Sequence, residues 1–280
     1  MAPPETGPFP LEDYLRRIGL SGRPGLTEVH RAHVHSIPFE NLDPQRGVPV
    51  SLEPAALLAK LVTARRGGYC FEQNLLFALA LEALGARVEP MLGRVRIGRP
   101  PGHVGPRTHL ALRVRTGGRE WLADVGFGNG TLLEPIPFGP GEVHEQSGWR
   151  YRIVADGREH VLQIEAPAGW TDLYGFIPEP VPRVDLETSN WFTATHPGSQ
   201  FVTGLLVAAH RLDGSVLVLS DWEELSLSER TPAGATDTPI RREEVPGVLE
   251  SHFGLPGFTL GVGGRVVARA DGPQAGSCNR

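Results

Sequence analysis

The sequence predicts an α+β protein: a helical first third, an antiparallel sheet or barrel in the middle, and a last third that joins a hairpin to a terminal helix. Three observations carry this expectation. Apolar residues recur with helical period up to Gly85 and with strand period after it. Two pairs of alternating runs, each broken by a glycine-containing turn, follow in the middle third. No segment repeats at a fixed period, so solenoid and propeller architectures have no support.

Residues 11–18 read as a short amphipathic helix closed by Gly19. Residues 27–35 read as a second, which stops because Ser36 and Ile37 run into Pro38, whose ring disfavours helical backbone before it. A third helix is expected to open with Ser51 as its N-cap and to bury Leu57, Leu58, Leu61 and Val62. A fourth begins near Cys70 and sets Phe71, Leu75, Leu76 and Leu79 on one stripe until Gly85 ends it. Val88, Leu92, Val95 and Ile97 then take up strand alternation. Residues 108–115, Gly117-Gly118 and residues 120–125 form one hairpin signal; residues 149–154, Asp156-Gly157 and residues 159–164 form another. A helix over 185–195 ends at His196-Pro197, a third hairpin turns at Asp213-Gly214, and a helix over 243–253 closes the chain. Boundaries near residues 86 and 197 divide it into 1–86, 87–197 and 198–280.

The chain has 280 residues, 40% hydrophobic and 21% charged, enough core material for two or three packed subdomains. A net charge of -5 and a pI near 6.1 give nucleic acid and anionic membranes no electrostatic hold. The first residues lack the basic and apolar regions of a signal peptide, and no apolar run approaches the ~20 residues that cross a bilayer, so cytoplasmic residence is expected. With only two cysteines, a disulfide framework is not what stabilises this fold. Cys278, in the tail Ala-Gly-Ser-Cys-Asn-Arg, reads as a bystander thiol, which leaves Cys70.

Cys70 stands where Arg66-Gly67-Gly68-Tyr69 enters an apolar helix. Unpaired N–H groups at a helix N-terminus favour thiolate over thiol and can bind an oxyanion. A buried structural cysteine is the competing reading of this segment. The first hairpin adds a geometric point. With Gly117-Gly118 as the turn, Thr116 pairs with Arg119 and paired numbers sum to 235, so His109 lies opposite Gly126 and shares a face with Asp124. Diagonal neighbours of this kind are about 7 Å apart at the backbone, within side-chain reach. An aspartate bonded to one imidazole nitrogen leaves the other to hold a thiol proton; an ordinary sheet histidine beside a turn aspartate is the alternative.

Taken together, Ile37-Pro38-Phe39-Glu40-Asn41-Leu42, Arg66 to Asn74 around Cys70, Thr108-His109-Leu110 and Trp121 to Gly128 resemble, in order and spacing, the arylamine N-acetyltransferases. The resemblance extends from residue 10 to about residue 255. It implies a helical bundle, a central antiparallel β-barrel and a C-terminal α/β lid, a cysteine-proteinase-like architecture. It implies Cys70 as nucleophile, His109 as general base and acid, and Asp124 as its orienter. It further implies that Phe39, Tyr69, Val95, Phe127 and Phe201 line the acceptor pocket and that acetyl-CoA serves as cosubstrate, with no tightly bound cofactor. Core packing is the competing role for each pocket residue. The glycines of Gly126-Phe127-Gly128, together with Thr108, suit close approach of CoA, although the spacing is not a dinucleotide fingerprint. The expected partners are acetyl-CoA and a small arylamine, arylhydrazine or hydrazide; whether the chain acts alone or as a homodimer stays open.

His30, His33 and His35 cluster in the second helix, and His30 and His33 share a face at i, i+3, but no third ligand joins that pair to complete a zinc site, so no metal is expected. Glu40, Glu72 and Arg66 read as polar supports of the cysteine loop. Three rival functions share these features: an amide synthase joining a polyketide acyl chain to an aryl amine, a cysteine hydrolase or transglutaminase-like enzyme, and a binding module with a degenerate site.

Overall fold

The computed structural model describes residues 8–100 and 102–269. Cys278 lies outside them. Helices α1 (Leu11–Arg17) and α2 (Leu26–Ser36) place Tyr14, Leu15, Val29 and Val34 in one core. The expectation of helices alone fails next. Phe39–Glu40 forms a two-residue strand, β1, and Leu42–Arg46 a short helix, α3. Helix α4 (Pro54–Leu57) starts at a proline, whose missing N–H costs nothing at the first helical position. Ser51 is therefore not its N-cap; the Ser51 hydroxyl oxygen accepts the Glu53 N–H at 3.3 Å instead. The helix widens into a π turn, Leu58–Thr63, that buries Leu61 and leaves Leu58 and Val62 half-buried.

Helix α5 (Cys70–Ala83) departs from the single expected stripe. Phe71, Gln73, Asn74, Leu76, Phe77, Ala80 and Leu81 are buried around most of its circumference, while Leu75 and Leu79 of the expected stripe are only half-buried, on the side of exposed Glu82. It runs between α1, α2 and α4 on one side and the strands on the other, and a helix enclosed over most of its surface loses its amphipathic signature.

The strands β2 (Arg87–Val95), β3 (His109–Thr116), β4 (Arg119–Ala123), β5 (Ile136–Pro137), β6 (His144–Gln146), β7 (Trp149–Asp156), β8 (Glu159–Ala166) and β9 (Gly169–Phe176) build one antiparallel sheet. Its order is β5-β4-β3-β2-β9-β8-β7-β6. Leu112 pairs with Ala123 and Thr116 with Arg119, the expected register, with Gly117 and Gly118 both at positive φ. The second hairpin turns one residue later than expected. Asp156 pairs with Glu159, so Gly157-Arg158 form the turn, and Gly157 takes its left-handed first position at φ +60°. The edge strands β5 and β6 share no ladder. Instead the Gln146 side chain spans them, accepting from the N–H groups of Leu133 (2.9 Å) and Glu134 (3.1 Å) and donating to the Glu134 carbonyl (2.8 Å). The result is a nearly closed barrel around Met91, Leu122, Tyr151, Leu162 and Tyr174.

Beyond the barrel come α6 (Arg183–Thr195), α7 (Gln200–Thr203), β10 (Leu206–His210), β11 (Val216–Ser220), β12 (Ser226–Thr231), β13 (Gly234–Pro239), α8 (Val245–Phe253), β14 (Phe258–Leu260) and β15 (Val266–Ala268). The lid sheet runs β1-β10-β11-β12-β13, all antiparallel. Alternation along β10 and β11 sends Val207, Leu217 and Leu219 toward Val245, Leu249 and Phe253 of α8. Leu206, Ala208, Val216 and Val218 face the helical core. Strand β1 ties the first third into this sheet, with Phe39 opposite Ala208 and Glu40 opposite Val207. Asn41 strengthens the tie. Its amide nitrogen donates to the carbonyls of Phe201 (2.9 Å) and Gly204 (2.7 Å), and its oxygen accepts from Leu206 N–H (2.7 Å). Among the described residues, no helix is long and apolar enough to cross a membrane.

Candidate active site

The loop before Cys70 is shaped by what its glycines allow. A Cβ at Gly67 would collide with the Pro38 carbonyl oxygen, and one at Gly68 would stand 2.8 Å from a Glu72 carboxylate oxygen. That carboxylate accepts the Tyr69 N–H at 3.1 Å, capping α5 at the residue before the cysteine. Cys70 is the first residue of α5 and is 3% exposed. Its sulfur lies 3.6 Å from the Thr108 carbonyl oxygen, beside the start of β3.

His109 opens β3, and Asp124 follows directly after β4. The ladder between the two strands ends at Leu112 and Ala123, and past that point the chains carry His109 Nε2 to 2.7 Å from Asp124 Oδ2. Nε2 is thereby engaged, which leaves Nδ1 as the ring nitrogen open to a thiol proton, while the Cys70 sulfur itself lies against the Thr108 carbonyl. Burial works against an imidazolium here, but the Asp124 carboxylate and Cys70 outweigh it and push His109 up to about 10. Burial also works against the Asp124 carboxylate. The His109 charge and hydrogen bonds from His109, Asn74 and the Gly126 N–H hold it below the usual carboxylate range.

Asn74 stands one helical turn after Cys70 on the same face of α5. Its amide nitrogen donates to Asp124 Oδ1 (2.9 Å) and the Leu110 carbonyl (2.7 Å), while its oxygen accepts from Val125 N–H (3.1 Å). Gly126 completes the fit. A Cβ there would come within 2.9 Å of the Cys70 Cα and 3.0 Å of Asn74 Nδ2, so only glycine lets the Asp124 segment lie against the cysteine turn. The Gly126 N–H donates back to Asp124 Oδ1 at 2.9 Å.

The clustered histidines are structural. His30 lies 3.2 Å from the Leu133 carbonyl through Nδ1 and accepts the Asp124 N–H through Nε2, also at 3.2 Å. His33 bonds the Tyr14 hydroxyl (2.8 Å) and Gln73 Oε1 (2.6 Å). Gln73 in turn donates to the carbonyls of Pro38 (2.9 Å) and Gly68 (3.2 Å), fixing the cysteine loop. Burial lowers His30 to about 4 and His33 to about 3, so both rings are neutral at pH 7. His35 points elsewhere, to the His210 carbonyl. Among the described residues no three His, Cys, Asp or Glu side chains are arranged to hold a metal.

Beneath the loop lies a larger charged cluster than the sequence suggested. Arg66 bonds Glu40 (2.6 Å) and Asp43 (2.8 Å), and Lys60, delivered by the π turn, bonds Glu72 (2.6 Å) and Asp43 (2.7 Å). Burial raises the Asp43 carboxyl, but Lys60 and Arg66 overcome it and hold it at about 2. Glu72 goes the other way. Burial, with Glu40 and Asp43 nearby, pushes it up to about 7 against the pull of Lys60.

The remaining expected site residues fall around this centre. The Phe127 ring lies 4.9 Å from that of His109, edge to face, and the Tyr174 ring lies tilted against it with centres 4.4 Å apart. Val95, at the end of β2, pairs with Tyr174. Phe39 is buried beside Gly128, which takes φ +78°, and beside half-buried Phe201 at 5.9 Å. Tyr69 is fully enclosed, its hydroxyl bonded to Asn190 Oδ1 of α6. Thr108 contributes the carbonyl beside the thiol. Sequence reasoning assigned no role to Asn74, Gln73, His30, His33, Lys60, Asp43 or Tyr174. Of these, only Asn74 carried a readable signal, its spacing of four from Cys70.

Comparison with known proteins is consistent with this geometry. The profile of the N-acetyltransferase family matches residues 24–257. An arylamine N-acetyltransferase of Mycolicibacterium smegmatis is 43% identical over 92% of this chain and 95% of its own length. One from Escherichia coli is 34% identical over 95% and 98%. The structure of Mycobacterium marinum arylamine N-acetyltransferase in complex with CoA superposes with a TM-score of 0.83, at 37% identity, over 88% of this chain and 92% of that one. The chain belongs to the arylamine N-acetyltransferase family.

Proposed function

We propose that this protein moves an acetyl group from acetyl-CoA to an arylamine, arylhydrazine or hydrazide in two half-reactions on Cys70. The observation that carries the reading is a buried cluster in which Asp124 fixes His109 Nε2 at 2.7 Å, leaving Nδ1 free, while the Cys70 sulfur lies 3.6 Å from the carbonyl of Thr108, the residue before that histidine. With its proton held by His109, the Cys70 thiolate attacks the thioester carbonyl of acetyl-CoA. The oxyanion is met by the N–H groups of Cys70 and Phe71, which have no acceptor within the helix. The bond between the acetyl carbon and the CoA sulfur breaks, the CoA thiolate leaves and takes the His109 proton, and acetyl-Cys70 remains. The amine then attacks that acetyl group, His109 takes its proton, and the thiolate is released. One thioester is exchanged for another, and amide formation then runs downhill.

The segment up to residue 86 supplies the nucleophile, the segment 87–197 the base and its orienter, and the described residues from 198 onward the roof. Phe39, Tyr69, Val95, Phe127 and Phe201 shape the acceptor side, where aromatic faces suit an aryl ring. Thr108, Gly126, Phe127 and Gly128 lie where CoA approaches, and the CoA complex of the M. marinum relative supports that donor. A cytoplasmic location fits a cosubstrate made and used inside cells. Mass spectrometry after incubation with acetyl-CoA alone is the test. One acetyl group on the Cys70 peptide, lost on adding an arylamine, is expected; an unmodified Cys70 with turnover of a glutamine peptide would instead indicate a transglutaminase-like enzyme.

A further inference from the structure

Trp222 is a large aromatic side chain left 42% exposed at the end of the lid sheet, yet its position is closely determined. A Cβ at Gly204 would stand 2.6 Å from Trp222 Cδ1 and 2.9 Å from Nε1, so the indole lies against backbone that only glycine leaves open. The Trp222 N–H donates to the Ser220 hydroxyl at 3.2 Å. Asp221, beside it, accepts the Leu205 N–H (2.6 Å) and pairs with Arg242 (2.9 Å). From this fixed indole an aromatic series runs inward. Trp222 lies 6.0 Å from Phe201, ring centre to ring centre, and Phe201 lies 5.9 Å from Phe39 and 5.7 Å from Tyr69, the residue before Cys70. Each step falls within the spacing at which aromatic faces attract one another.

We infer that Trp222 is the outer platform of the acceptor site and determines specificity for amines borne on extended, two-ring aryl systems. This rests on the acetyltransfer reading above. A single-ring amine held at Cys70 needs only the inner aromatics; a second fused ring reaches outward, and the exposed indole supplies the next flat face. The charge around Trp222 separates this occupant from the adenine of CoA. Asp221 precedes Trp222 in the chain and the exposed Glu223 and Glu224 follow it, with Arg242 already paired to Asp221. That setting repels a polyphosphate and tolerates a neutral or cationic amine.

The test compares W222A and W222F with the unaltered protein, using 4-anisidine and 2-aminofluorene as one-ring and fused-ring acceptors. Acetylation of Cys70 by acetyl-CoA alone is followed in parallel. W222A is expected to lower kcat/KM for 2-aminofluorene about ten-fold, chiefly through KM, and that for 4-anisidine less than about two-fold, with W222F intermediate. The rate of Cys70 acetylation is expected to hold. Should W222A not fold, W222L keeps apolar bulk without a flat face and must still separate the two acceptors. Equal losses for both acceptors, no loss for either, or a raised KM for acetyl-CoA overturns the inference while leaving the acetyltransferase reading intact. Failure of the unaltered protein to form acetyl-Cys70 overturns both.

Discussion

Asn74 donates to Asp124 Oδ1 across 2.9 Å from a position one helical turn after Cys70, so the helix that bears the thiol also holds the carboxylate that orients the imidazole. Nucleophile and orienter thus share one rigid element. Asn74→Ala is expected to slow single-turnover acetylation of Cys70 about 100-fold, because small displacements of reacting groups are costly. It should also destabilise the fold by about 1–3 kcal/mol, since Val125 N–H and the Leu110 carbonyl lose their partner in a buried setting. Stopped-flow acetylation and urea unfolding measure the two effects separately, and an unchanged acetylation rate would remove the positioning role.

His109 is pushed up to about 10 in the fold and lies near 6.5 in an unfolded chain, so the folded state holds this proton more tightly. Its contribution to stability is complete below about pH 6.5 and is lost as pH rises through about 10. Urea midpoints are expected to decline from pH 7 toward pH 10. In His109→Gln that decline should flatten, and a slope identical to that of the unaltered protein would show that the proton resides elsewhere.

The buried rings of His30, His33 and His210 behave oppositely. Burial lowers them to about 4, about 3 and about 4, so unfolding takes up protons that the native rings refuse. The stability they allow is present above about pH 6.5 and is lost as pH falls toward 4. Unfolding free energy measured at successive pH values should drop over this interval with a slope approaching three protons. His33→Gln is expected to reduce that slope by about one proton.

Lys60 faces three carboxylates, Glu40, Asp43 and Glu72, with Arg66 on Glu40 and Asp43 and Arg46 on Asp43 as the other cations. Lys60→Met leaves buried negative charge uncompensated and is expected to cost about 3–5 kcal/mol. Adding Glu72→Gln to that background should recover part of the loss, because the uncharged amide no longer needs the ammonium. Additive losses in urea unfolding of the single and double variants would contradict a direct Lys60–Glu72 coupling.

The residues at the chemical centre were the readable ones because local rules place them. Two glycines specify the turn after β3, and counting outward from it puts His109 and Asp124 on one face; the observed pairing of Leu112 with Ala123 follows that count. Their supports were hidden for a physical reason. Gln73 and His33 meet across 40 positions of chain, and His30 reaches Leu133 across 103, distances over which no periodic pattern operates. Read locally, the same histidines showed only an incomplete ligand set and no hint of the partners they meet. Strand β1 has only two residues, too few to show alternation, and β9 contains glycines that dilute it. Strands β12 and β13 are largely polar, since most of β13 faces solvent, and they leave little apolar trace. The π turn is invisible in composition and shows only in where it delivers Lys60.

Strand β1 and the Asn41 side chain bind the cysteine loop to residues near 201–208, and the Glu40 N–H reaches on to the Gly68 carbonyl at 3.0 Å. During synthesis, then, the nucleophile leaves the ribosome long before the strand that steadies it. Nascent chains stopped short of β10 should contain helices yet lack a competent thiol, and reactivity of Cys70 becomes a clock for the final stage of maturation.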